Sequence, residues 1–229
     1  MNLRSSSLPV PRLPRDVRLL SIALDLSTLE DCIRRFLYDQ AHPNLDTPLN
    51  EVSIEECPTY NGRIRVFPSA VATYFAPSDL SGTKGMICER IHCVDSWRRG
   101  LPWQDCVFVD KDPSKLGFEG LYVARVRLFF SLCHEDVEYQ CALVWWYSTL
   151  GIEPCPDTGM WMVEPDFDAQ GNRTMSVIHL DAILRSAHLL GIAGADPVPL
   201  SLNFTNSLDA FRAFYVNKYI DHHAHEIAF

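Results

Sequence analysis

The densest group of reactive side chains is the terminal stretch DHHAHEIAF, which holds Asp221, His222, His223, His225 and Glu226. On a helix, His222 and Glu226 stand at i and i+4, and His222 and His225 at i and i+3. Either pair could give two ligands to one metal. Zinc would need a third donor from elsewhere in the chain, and His92, His179 and His188 are the candidates. The order His-His-Ala-His-Glu differs from the zincin order, in which Glu directly follows the first His. The plainer reading is a polar helix end whose histidines complement the negative end of the helix dipole.

Other groups suggest other chemistry. Glu164, Asp166 and Asp168 in EPDFD could hold magnesium through carboxylates, although acidic residues are also ordinary where a strand runs into a turn. Cys88, His92 and Cys93 have donor atoms for zinc, but no second cysteine pair follows, and the stretch alternates as a strand of core thiols would. No Gly-x-Ser-x-Gly elbow is present. Cys133 and His134 are adjacent, so on a strand they point to opposite faces. Nucleophilic catalysis therefore has no carrier.

The aromatic residues offer a binding reading. If Trp145 and Tyr147 face a core, Trp146 faces outward. Beside Trp161, Glu164 and Asp166 it would form an aromatic, acidic pocket. Such a pocket attracts cations by ring quadrupole and carboxylate together, at ~0.5–2 kcal/mol for each cation–π contact. A methylated lysine or a basic tail would suit it. The competing reading is that these rings fill a core. Arg98, Arg99, Arg125 and Arg127 could make a local nucleic-acid patch, or Arg125 and Arg127 could form a solvated strand face paired with Glu138.

The elements that must position these groups follow from periodicity. STLEDCIRRFLYDQ reads as a helix, with Ser27 and Glu30 at capping-box spacing and Leu29, Cys32, Ile33 and Phe36 on one face. Strands are expected at 62–67, 86–94 and 105–109, with 70–76 as strand or short helix. Two long strands, 121–130 and 137–148, flank the hairpin turn CHED. Further strands are expected at 159–165 and 174–180. DAILRSAHLLGI reads as an amphipathic helix, and the final segment as a helix capped by Ser207. Residues 1–26 read as a flexible basic arm or linker, and 27–229 as one globular domain. The fold class is therefore α+β: an antiparallel β-barrel-like core, or bent sheet, with flanking helices at the N- and C-terminal ends. No Gly-rich phosphate loop or βαβ alternation is present.

Composition narrows the partners. The 229-residue chain has 47% hydrophobic residues and a net charge of −9. Direct nucleic-acid binding is disfavoured, because neutralising phosphates normally takes a basic excess. The N-terminal stretch lacks an apolar signal core, so the eight cysteines are expected to be reduced and the chain intracellular. No apolar run has the length of a membrane span.

Several long stretches, among them SAVATYFAPSDLSG, GLYVARVRLFF, GMWMVEPDF, VIHLDAILRSAHLLG and LDAFRAFYVNKYIDHHAHEIAF, carry a resemblance. From about Ile33 to Phe229 the chain resembles a block at the C-terminal end of fungal Plavaka and KDZ-type transposon-encoded, transposase-associated proteins. The resemblance carries over no catalytic residue. It implies a nuclear location and a domain that accompanies a transposase. The order of strand, hairpin, acidic aromatic strand and VIHLDAI is also similar, at the level of pattern, to bromo-adjacent-homology domains, which are β-barrel modules of chromatin.

The resulting expectation is a non-catalytic interaction domain of transposon origin, without a cofactor. Its partner would be a protein, such as a basic or methyl-lysine tail, chromatin or a transposase. The alternative is a metal-dependent hydrolase or nuclease that uses zinc at His222, His225 and Glu226 with the acidic turn.

Overall fold

The computed structural model describes residues 13–43, 51–77, 82–96, 101–195 and 197–229, and the backbone of 2–5. In chain order the elements are β1 (Asn2–Ser5), α1 (Val17–Leu24), α2 (Leu29–Ala41), β2 (Ile64–Phe67), β3 (Ser69–Phe75), β4 (Met86–Val94), β5 (Trp103–Gln104) and β6 (Cys106–Asp110). They continue with β7 (Leu121–His134), β8 (Val137–Leu150), β9 (Met162–Pro165), β10 (Met175–His179), β11 (Ile183–Ala187), β12 (Leu189–Gly191), β13 (Phe214–Val216) and α3 (His222–Ala228).

Two antiparallel sheets curl around one interior. The smaller has the order β1-β3-β4-β5. The larger has the order β11-β6-β7-β8-β9-β13-β12, with β10 added to β8 and β2 to β7. Together they make a nearly closed barrel-like sheet, with helices towards the N- and C-terminal ends, as the α+β reading expects. The long β7–β8 hairpin is its spine. Glu135 and Asp136 both adopt positive φ, which is the two-residue turn that matches strand twist.

The barrel interior is filled from β3, β4, β6, β7 and β8 by residues such as Ala72, Ile91, Val107, Val126, Phe129 and Val144. The outer face is covered as well. Leu20 of α1, with Leu29, Ile33 and Phe36 of α2, packs on Ile64, Phe130, Leu132 and Leu143. At the other end, Phe214, Val216 and Ala228 of the C-terminal segment cover Phe108, Val123, Tyr147 and Val163. Each such large side chain stabilises the fold by ~1.5–3 kcal/mol through burial.

Several expectations need correction. Residues 17–26 do not belong to a flexible arm. Asp16 caps α1 by accepting from Leu19 N at 3.0 Å, and Val17, Leu20 and Leu26 are buried. α2 lies where expected, but Ser27 makes no capping box: Thr28 is the N-cap without a side-chain bond, and Glu30 pairs with Arg18. DAILRSAHLLGI is not a helix. It makes a short 3-10 turn and then β11, whose burial alternates and whose backbone completes the open edge of β6. The final segment is not one helix from Ser207. Phe214 and Val216 alternate into a strand beside β9, and α3 starts only after Asp221.

A bulge in β7 changes its faces. Val126 pairs with Val144 and Leu128 with Leu143, which leaves Arg127 as the extra residue. Ala124, Val126 and Phe129 therefore point inward, whereas Leu128 and Phe130 meet the helices. Alternation along 122 to 130 is thus split at Arg127 into an inward run and a helix-facing run.

Candidate functional site

The site with the most exposed chemistry lies where β8 and β9 meet the 208–212 segment. It is an open cleft of about 710 Å³ lined by Trp145, Ser148, Glu164, Pro165, Asp166, Phe167, Arg173, Leu208, Asp209, Phe211 and Arg212. β9 and the turn after it supply the carboxylates. Asp166 is held by its backbone, which donates to Trp146 O and accepts from Thr174 N, each at 3.0 Å. Asp168 builds the turn: its carboxylate accepts from Gln170 N and Asn172 N. The Asn172 amide, despite slight burial, holds this carboxyl below its usual range. Of the EPDFD carboxylates, Glu164 and Asp166 reach the cleft and Asp168 serves the turn. Neither Glu164 nor Asp166 has an ion pair among the described residues.

The tryptophans are arranged differently from the expected pocket. Trp146 packs against the barrel interior, donates from Nε1 to Ser176 Oγ at 2.8 Å, and meets Tyr122 edge-on. Trp161 stacks on Phe118 with centroids 5.1 Å apart, within the C-terminal cluster. Glu164 and Asp166 are thus joined in the cleft by Trp145. Strand parity separates a dry face from a wet one only where one side of a sheet meets water, and this sheet is covered on both sides.

Trp145 is already in contact with cations. The Arg127 guanidinium lies 3.8 Å from its ring centroid, Arg173 5.1 Å and Arg125 5.8 Å. Arg125 and Arg127 are therefore not a solvated face. Arg125 is only 6% exposed, and Glu138 pairs with Arg65 instead. Burial, and then the neighbouring Arg125 charge, push the Arg127 pKa below its usual value. Arg98 and Arg99 lie outside the described residues.

The terminal stretch is bound to the barrel through residues other than the expected ligands. Asp221 caps α3 by accepting from Ala224 N at 2.8 Å. The same carboxylate takes both amino groups of Arg185, at 2.8 and 2.6 Å. His223 stacks on Tyr74 at 4.4 Å and lies 3.2 Å from Arg185 Nη1. His222, His225 and Glu226 are on the exposed side of α3. The three further histidines are held elsewhere: His92 by Asp105, His179 by Gln40 and His188 by Asn217. Cys93 is buried, with its thiol on Val126 O, whereas Cys88 is exposed. Among the described residues, no three His, Cys, Asp or Glu side chains are grouped to hold a metal.

The residues that sequence reasoning missed are Arg173, Arg185 and Asp209. A buried strand arginine demands a carboxylate or an aromatic partner, and that demand was the available signal. Among the described residues no helix is long and apolar enough to cross a membrane. A scan against protein-family models finds no match, and a search of curated proteins finds no significant relative.

Proposed function

We propose that this chain is a non-catalytic interaction domain that takes basic side chains of a protein partner into the Glu164–Asp166 cleft. The observation that carries this reading is the pair of carboxylates without an ion pair, set beside Phe167, which is 55% exposed. A lysine or arginine entering the cleft would meet two anions and the exposed part of Phe167, whose ring also lies 5.5 Å from the Arg173 guanidinium. Charge-assisted hydrogen bonds and cation–π attraction reinforce each other in such a setting. The net charge of −9 favours encounter with a basic partner. Trp145 and Phe167 both lie against guanidiniums of the chain itself, so methyl-lysine recognition would rest chiefly on the carboxylates. The resemblance to Plavaka and KDZ-type proteins supports a transposon origin, a transposase or chromatin partner, and a nuclear setting.

The test is a titration with a fluorescent lysine-rich peptide, its trimethyl-lysine counterpart and a glutamate-rich control. The lysine peptides should bind and the control should not. Glu164→Gln/Asp166→Asn should weaken binding about tenfold or more, roughly 1.4 kcal/mol. Equal binding of the glutamate peptide, or no change in the double variant, would rule the cleft out.

A further inference from the structure

The cluster of arginines under Trp145 is poorly matched in charge. Arg125, Arg127 and Arg173 crowd one indole, yet the only ion pair any of them makes among the described residues is Arg125 Nη1 to Asp209 Oδ1, at 2.7 Å. Arg125 is nine-tenths buried, whereas the Asp209 side chain is 52% exposed on a surface segment. The Nε atoms of all three arginines are buried without a hydrogen-bond partner. Buried guanidiniums normally have their donors satisfied by anions, because an unpaired buried charge is costly.

Arg125 also lines a second cavity, of about 320 Å³, on the other side of Leu208 from the acidic cleft. Polar groups around that cavity include Gln104, His188, Thr205 and Ser207. Gln104 is oriented by Arg127, whose Nη1 donates to its Oε1 at 2.5 Å. The segment carrying Thr205 is braced internally, since Asn203 Oδ1 accepts from Thr205 N and Asn206 Oδ1 from Asn203 N. One carboxylate, Asp105, lines the cavity, and its oxygens are engaged by Trp103 Nε1 at 2.6 Å and His92 N at 2.7 Å.

We infer that this cavity is an oxyanion-binding site, for a phosphate or carboxylate group of a ligand, in which Arg125 is the anchoring residue and Asp209, which lines the neighbouring cleft, is the counter-ion that the ligand replaces on Arg125. Arg127 and Arg173 supply the supporting field, and the amide nitrogen of Gln104, whose Oε1 is held by Arg127, supplies a neutral donor. Arginine suits the role because its planar fork matches carboxylate and phosphate oxygens. Asp209, being half exposed, can swing into water at little cost when a stronger anion arrives. Asp209 and Arg173 line the Glu164–Asp166 cleft, so the two sites adjoin, but this inference does not rest on that reading.

The experiment is calorimetric titration of the intact chain with inorganic phosphate and with propionate, against chloride at equal ionic strength. One equivalent of phosphate or propionate should bind. Tighter phosphate binding identifies a phosphoryl ligand, and tighter propionate binding a carboxylate. Asp209→Asn, a surface change, should tighten binding about tenfold by removing the internal competitor. Arg125→Lys should weaken it by a similar factor. Glu164→Gln/Asp166→Asn should leave it intact, which separates this site from the cleft. No saturable binding by wild type and Asp209→Asn, or an Asp209→Asn variant that binds no more tightly, would overturn the inference.

Discussion

Arg185 and Arg125 invite direct comparison. Both project from barrel strands, both are buried, and both lie near aromatic rings: Arg185 is 5.0 Å from Tyr74, and Arg125 5.8 Å from Trp145. Their counter-charges differ. Arg185 binds both oxygens of Asp221 and has Glu89 at 3.6 Å. Burial opposes its charge, but the Asp221 hydrogen bonds and the Glu89 field raise its pKa. Beside Arg125, the Arg127 pKa is instead lowered by burial and by Arg125 itself. The first arrangement is a structural latch, closing the C-terminal segment over the barrel. The second retains binding capacity that its own carboxylates do not use. The Nε of each is buried without a hydrogen-bond partner, so the difference lies in the carboxylates: two face Arg185, and one half-exposed carboxylate faces Arg125.

The largest expected effect comes from removing each arginine in turn. Arg185→Met strands Asp221 and Glu89 and should destabilise the fold by about 3 kcal/mol, the usual result of breaking a buried pair from one side. Arg125→Met strands only half-exposed Asp209 and relieves repulsion with Arg127. Its stability should change by no more than about 1 kcal/mol. Urea unfolding of the two variants measures both, and equal losses would erase the comparison.

Acid should act on the latch next. Burial and then the Arg185 charge lower the His223 pKa below its usual 6.5, while Asp221, Glu89 and Glu226 partly oppose them. The folded state therefore binds fewer protons at His223 than the unfolded state. Its stability is full above the unfolded pKa and falls as pH drops through 6.5 towards the lower folded value. Asp221 has its carboxyl lowered from 3.8, since the Arg185 and Ala224 hydrogen bonds outweigh burial. It adds a second loss below that pH. His223→Phe, which keeps a ring on Tyr74, should flatten the first step in a melting series from pH 7 to 3 and leave the second. A slope unchanged by this substitution would assign the step to another group.

The smallest effect is at the under-paired end. Asp209→Asn keeps an amide oxygen for Arg125 Nη1 while removing the charge, and should cost no more than about 0.5–1 kcal/mol. A loss several times larger, again by urea unfolding, would make the Arg125–Asp209 contact a second latch.

Much of the fold was legible where local pattern and tertiary demand agree. The β7–β8 hairpin shows alternation and a two-residue turn, and α2 shows a stripe of Leu29, Ile33 and Phe36. Asp16 before VRLLSIAL was a readable cap, overshadowed by nearby prolines and arginines. β11 was not legible, because Ile183, Leu184 and Ala187 fit helical spacing equally well. The open edge of β6 and the carboxylates waiting for Arg185 decided for a strand. At the candidate site, Glu164 and Asp166 were readable as acidic residues at a strand end. Their meeting with Trp145 in place of Trp146 was not.

Composition, charge, the main strands and the α+β class can be read locally, because alternation and helical stripes are properties of neighbouring residues. Tertiary structure decided which residues became a site. Arg185 meets Asp221 across 36 positions and Arg125 meets Asp209 across 84. Such pairings depend on which strand edges close and where the Arg127 bulge turns the faces over. No local periodicity carries that information.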